Sequence, residues 1–147
     1  MMSRITVFSV LVALLAVTSP ATATDPGFKV VVNASNTTTS ITKEQLSRCF
    51  LKQTNTWING ATVTPVDLSA TSPVRIEFST AIHERDVNAV KSFWQRQIFS
   101  GRGVPPPEKS TDEEVLAFVR ANPGAVGYVS SDPPVGAGVK VLEITVQ

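Results

Sequence analysis

Val63-Thr64-Pro65-Val66-Asp67-Leu68-Ser69-Ala70-Thr71-Ser72-Pro73-Val74-Arg75-Ile76-Glu77-Phe78 is the stretch on whose reading the fold turns. It reads as a short buried strand ending near Asp67, a small polar loop from Ser69 to Ser72, and a helix entered through Ser72 as N-cap. Pro73 suits the first turn, where its missing N–H leaves no bond unmade. A hydroxyl-bearing loop at a helix N-terminus presents unpaired backbone N–H groups and a partial positive charge, which suits phosphate, sulfate or a carboxylate. The same residues also make an ordinary strand-to-helix connection, because every helix needs an N-cap whether or not a ligand is present. Arg75 lies off the apolar stripe of Val74, Phe78, Ala81 and Ile82. A cation in the first turn opposes the helix dipole, so it calls for a partner: Glu77, Asp67 or a bound anion.

Upstream of this stretch, Phe28 to Val32 is apolar and β-branched, the pattern of a strand buried on both faces in a mainly parallel sheet. The polar run Asn33 to Ser40 follows, either a plain loop or a second wall of the anion site; it contains two formal glycosylation sequons, at Asn33 and Asn36. Thr42 with Gln45 forms a capping box, and Ile41 with Leu46 a hydrophobic staple, for a helix whose inner face is Leu46, Cys49 and Phe50. Trp57 reads as a lid on the core beside the Asn59-Gly60 turn, ahead of a strand from Ala61 to Val66. Downstream, Asp86 caps a helix with Val87, Val90, Phe93, Trp94 and Ile98 inward. The glycines and prolines of Ser100 to Pro107 exclude regular structure. Ser110 with Glu113 starts another helix, which stops at Asn122-Pro123-Gly124, and the strands Ala125 to Val129 and Val139 to Val146 close the chain. Strands and helices interleave without repeats, which implies a three-layer α/β domain with a mixed, mainly parallel sheet.

The N-terminal residues carry an address. Arg4, the apolar run Ile5 to Val17 and the small-x-small signal Ala21-Thr22-Ala23 read as a signal peptide over residues 1–23, leaving a single domain over 24–147 that is periplasmic or secreted. The apolar run is shorter than the roughly 20 residues a spanning helix needs, so no membrane span is expected after cleavage. Loss of Arg4 leaves 12 of the 13 basic side chains against 12 acidic ones, and nothing in that balance steers the chain to nucleic acid or an anionic membrane. Cys49 is the sole cysteine, which excludes an internal disulfide and suits a buried, inert thiol.

The chemistry of catalysis is not marked. The single histidine, His83, ends an amphipathic helix with no nucleophile marked to pair with it, and no His, Cys and carboxylate spacing suggests a metal site or another cofactor. A non-enzyme is expected.

The series Leu46-x-x-x-Phe50-Leu51, Trp57-x-x-Gly60, Pro65-Val66-Asp67-Leu68, Ser72-Pro73-Val74-Arg75-x-x-Phe78, Phe93-Trp94, Phe99-Ser100-Gly101-Arg102-Gly103-x-Pro105-Pro106 and Pro123-Gly124-Ala125-x-Gly127-Tyr128-Val129 resembles the short, exported relatives of the phosphate-binding protein of ABC transporters. The resemblance spans most of the chain after residue 23 and implies a type II periplasmic-binding-protein-like lobe. It implies a small inorganic anion as ligand, an envelope or transporter partner, and Ser69, Thr71, Ser72 and Arg75 as the residues matching the family's Ser/Gly/Thr loop. In this chain the loop lacks glycines, Asp67 lies close to where the family carries an arginine, and there is room for about one lobe. A two-lobed clamp would then need a second chain, as in a homodimer. The rival expectation is a non-catalytic envelope accessory module that has lost anion binding and meets a partner through the Phe99 to Pro107 loop and exposed aromatics such as Trp57.

Overall fold

The computed structural model describes residues 26–132 and 135–146; the expected signal peptide over residues 1–23 and the first residues of the expected domain lie outside them. The main sheet has five strands in the order β2-β7-β1-β6-β3, with β1 Phe28–Asn33, β2 Ser40–Thr42, β3 Thr64–Pro65, β6 Ala125–Ser130 and β7 Val139–Thr145. A second, two-stranded sheet joins β4 Asp67–Leu68 to β5 Glu108–Lys109. The sheet is mixed, as expected, with parallel pairing at its margins, β2 with β7 and β3 with β6. At its centre β1 pairs antiparallel with both neighbours, Val30 opposite Tyr128 on one side and Leu142 on the other. The apolar run of β1 marks burial on both faces, and burial carries no information on strand direction.

Helices cover both faces, and β6 shows how. Side chains alternate along a strand, so Gly127 and Tyr128 point to opposite layers. At Gly127 helix α4 (Asp112–Ala121) comes so close that a Cβ there would stand 2.8 Å from Val115 and 2.8 Å from Val66. On the other face the Tyr128 ring stacks on Phe78 at 3.7 Å, and Phe28 and Phe50 pack edge-on against Phe78. Phe50 arrives on α1 (Lys43–Phe50) and Phe78 on α2 (Pro73–Phe78), which continues without a break into a π-helical turn, Ser79–His83. Helix α3 (Val87–Phe99) packs on that turn.

The helix starts follow the capping residues. Thr42 and Gln45 close the capping box of α1 in both directions, and Asp86 caps α3 through the Ala89 N–H at 2.7 Å. Helix α4 begins one residue later than the sequence suggested: Thr111, not Ser110, accepts from Glu114 N, while the Glu114 carboxylate takes the Ser110 N–H at 2.8 Å. One side chain meets its expected place and another does not: Trp57, read as a lid on the core, lies in it. Trp57 is buried, with its indole N–H on the Gly124 carbonyl at 2.8 Å, and so is no partner-facing aromatic. Ile98, expected inside, is 53% exposed, and of the inner face expected for α3 it is Val90 and Trp94 that are buried. Asn33 and Asn36 are both buried, so neither sequon presents its amide in the folded chain.

Candidate functional site

The loop between β4 and α2 is built as its residues require. The Ser72 N–H bonds the Ser69 carbonyl at 2.9 Å, closing a tight turn, and the Ser69 N–H is anchored on the Lys109 carbonyl of β5 at 2.9 Å. The Ser69 and Thr71 hydroxyls lie 3.2 Å apart, and Ser72 caps α2 through the Arg75 N–H at 3.5 Å. Thr71 is exposed and Ser69 and Ser72 are half-buried, so the structure brings three of the four expected site residues together at the surface.

Arg75 goes elsewhere. Its side chain is 4% exposed and turned beneath the loop, where Nη1 donates to the Leu68 carbonyl at 2.7 Å and stands 3.5 Å from both Asp67 Oδ1 and Glu108 Oε1. Of the partners the helix-dipole argument offered, Asp67 is the one engaged; Glu77 instead accepts the Gly27 N–H at 2.8 Å. Asp67 is itself held by the Tyr128 hydroxyl at 2.6 Å, and the same phenol oxygen accepts the Leu68 N–H at 3.2 Å. Burial pushes the Asp67 carboxyl up from 3.8 to about 6, outweighing Arg75 and the Tyr128 hydrogen bond, which both favour the anion. Burial also drives the Tyr128 phenol far up, with the Asp67 charge acting in the same direction. The loop therefore rests on a buried Arg75–Asp67–Tyr128 network wired to the aromatic core.

Sequence reasoning missed Tyr128 and Glu108 as members of this network. Glu108 reaches Arg75 because β4 and β5 pair in parallel, Asp67 opposite Glu108, although β5 directly follows three prolines that argue against regular structure. Tyr128 carried one available signal: a phenol in a buried strand needs a hydrogen-bond partner, and a buried acid offers one.

Two further groups complete the chemistry. The π turn brings His83 to α1, where its Nδ1 is 2.8 Å from the Ser47 hydroxyl, and its ring packs edge-on against Phe78. Burial lowers its pKa from 6.5 to about 4, helped by Arg75 and Arg85, so the ring is neutral at pH 7. Cys49 is buried and its thiol is pushed up to about 11, an inert group at neutral pH. Among the described residues no three His, Cys, Asp or Glu side chains gather as metal ligands, and no helix is long and apolar enough to cross a membrane.

No family model matches the chain, and no curated protein matches it. Solved structures do. An ABC-type phosphate transport receptor from Vibrio cholerae is similar with a TM-score of 0.61 and 21% identity over 80% of this chain and 46% of that one. A putative phosphate ABC transporter substrate-binding protein with bound phosphate from Clostridium perfringens is similar with a TM-score of 0.60 and 17% identity, over 80% of this chain and 44% of that one. A possible phosphate binding protein from Planctomyces limnophilus gives a TM-score of 0.58 at 16% identity, over 82% and 42%. The chain thus has the fold of these proteins and spans less than half the length of each.

Proposed function

We propose that this chain is an exported, non-catalytic solute-binding-protein-like domain that takes a small anion, with phosphate the first candidate, at the loop Ser69 to Ser72. The observation that carries the reading is the cluster of Ser69, Thr71 and Ser72 hydroxyls at the start of α2, in a fold shared with phosphate-binding proteins. The hydroxyls and open backbone N–H groups of the turn would contact the anion. Arg75 takes a changed role: with its guanidinium committed to Leu68, Asp67 and Glu108, it supplies charge from beneath the loop and holds the loop in place. Delivery to an ABC-type transporter follows from the same likeness, and a second chain would supply the other wall of a clamp.

The test is a calorimetric titration of phosphate into Ser69→Ala/Thr71→Ala, which leaves the buried network intact. We expect at least tenfold weaker binding than in the parent with an unchanged melting temperature; equal affinity would remove the loop from the site.

A second reading has an observation of its own. Phe99 is 94% exposed, with Ile98 beside it and Val104 five residues on also exposed, an apolar end to α3 that no part of the described chain covers. On that reading the domain is an envelope accessory module that meets a protein partner there. Loss of that partner in Phe99→Ser, with anion binding absent from the parent, is the result that would favour it.

A further inference from the structure

A groove of about 630 Å³ opens between α1 and the π-helical turn, at the far end of α2 from the Ser72 loop and on the order of 15 Å from it. Its floor is apolar, made by Leu51 and Ile82. Its polar element is the hydrogen-bonded pair Ser47 and His83, 2.8 Å apart. The Ser47 hydroxyl and His83 Nδ1 share one hydrogen bond, which fixes the ring's orientation and leaves Nε2 for a further hydrogen bond. The rim adds charge. Arg48 is tied to Glu44 at 2.6 Å, whereas among the described residues no carboxylate lies within 4.0 Å of the Lys43 ammonium or the Arg85 guanidinium. With Glu84 also on the rim, the lining carries three cations against two acids.

We infer that this groove is a second ligand site, for a small organic carboxylate, with Lys43 and Arg85 holding the carboxylate, the Ser47–His83 pair orienting it, and Leu51 and Ile82 receiving its carbon body. The volume falls in the range of small-molecule pockets and is far larger than an inorganic oxyanion fills. Two cations that no carboxylate among the described residues engages, beside an apolar floor, match an amphipathic anion better than a hydrated one. The π turn suits such a place, since single π turns inside helices are frequent at functional sites. The site is independent of the anion loop and stands or falls separately from it.

The chain contains one histidine, so its ring protons report on the groove without assignment. The experiment is a proton NMR titration of the full chain at pH 7 with benzoate, with benzylamine and inorganic phosphate as controls. We expect a saturable shift of the His83 ring signals with benzoate, no saturable shift with either control, and at least fivefold weaker binding in Lys43→Gln/Arg85→Gln at an unchanged melting temperature. Ser69→Ala/Thr71→Ala should bind benzoate as the parent does. A linear, unsaturating response, an equal response to benzylamine or phosphate, or full affinity in the double charge variant would overturn the inference.

Discussion

Removing the Arg75 guanidinium would strand the Asp67 carboxylate in the interior, since both side chains are under a tenth exposed and Nη1 sits 3.5 Å from Asp67 Oδ1. Breaking a buried pair from one side costs about 3–5 kcal/mol, because the partner charge is left without compensation. Arg75→Ala should therefore lose at least about 3 kcal/mol in urea unfolding, whereas Ser69→Ala/Thr71→Ala, at the surface, should stay within about 0.5 kcal/mol of the parent. A loss of under 1 kcal/mol in Arg75→Ala would mean that the network carries no structural weight. The contrast explains what the residues alone disclosed. The need for a partner was legible, since a cation in a first helical turn opposes the dipole, and Asp67 stood among the candidates. Which partner wins is decided by the path of β4 beneath the loop. The second acid, Glu108, lies 33 positions beyond Arg75 and comes near through the pairing of β5 with β4.

At the scale of elements, the close approach of α4 to β6 depends on one missing side chain. Any Cβ at Gly127 would crowd Val115 and Val66, two fully buried residues with no room to yield. Gly127→Ala should cost roughly 1–3 kcal/mol as overpacking, read by thermal unfolding, with the far-UV spectrum unchanged; a neutral or stabilising result would show that α4 shifts freely on the sheet. Helix starts were largely legible, because Thr42, Ser72 and Asp86 announce themselves by local chemistry and the structure caps α1, α2 and α3 with them. Strand direction was not. The period of a hydrophobic run fixes which faces are buried, and β1 meets that description while running antiparallel to both neighbours. The two-residue strands β4 and β5 and the π-helical end of α2 were illegible for another reason: each is set by tertiary contacts and not by its own residues.

For the whole molecule, two buried titrations pull against each other. The folded chain holds the Asp67 proton more tightly than the unfolded chain does, its pKa being about 6 against 3.8, so the stability tied to that proton is full below about pH 4 and is lost as pH rises through 6. His83 is the reverse: its pKa of about 4, lowered from 6.5, gives stability that is present above pH 6.5 and is lost as pH falls through 4. The two contributions therefore run in opposite directions between about pH 4 and 6.5, stability tied to Asp67 falling and that tied to His83 rising with pH. Asp67→Asn should gain stability with rising pH across that window and His83→Gln should lose it; a common slope in all three proteins would refute the opposition. The loop proposed for the anion follows directly on β4, which carries Asp67, and the chain spans less than half the length of its structural neighbours. The most direct measurement is therefore isothermal titration of the purified protein with phosphate at low ionic strength, with sulfate as control. We expect saturable phosphate binding at micromolar affinity or tighter, about −8 kcal/mol or better, with sulfate clearly weaker. The absence of heat with both anions would contradict an anion site at Ser69 to Ser72.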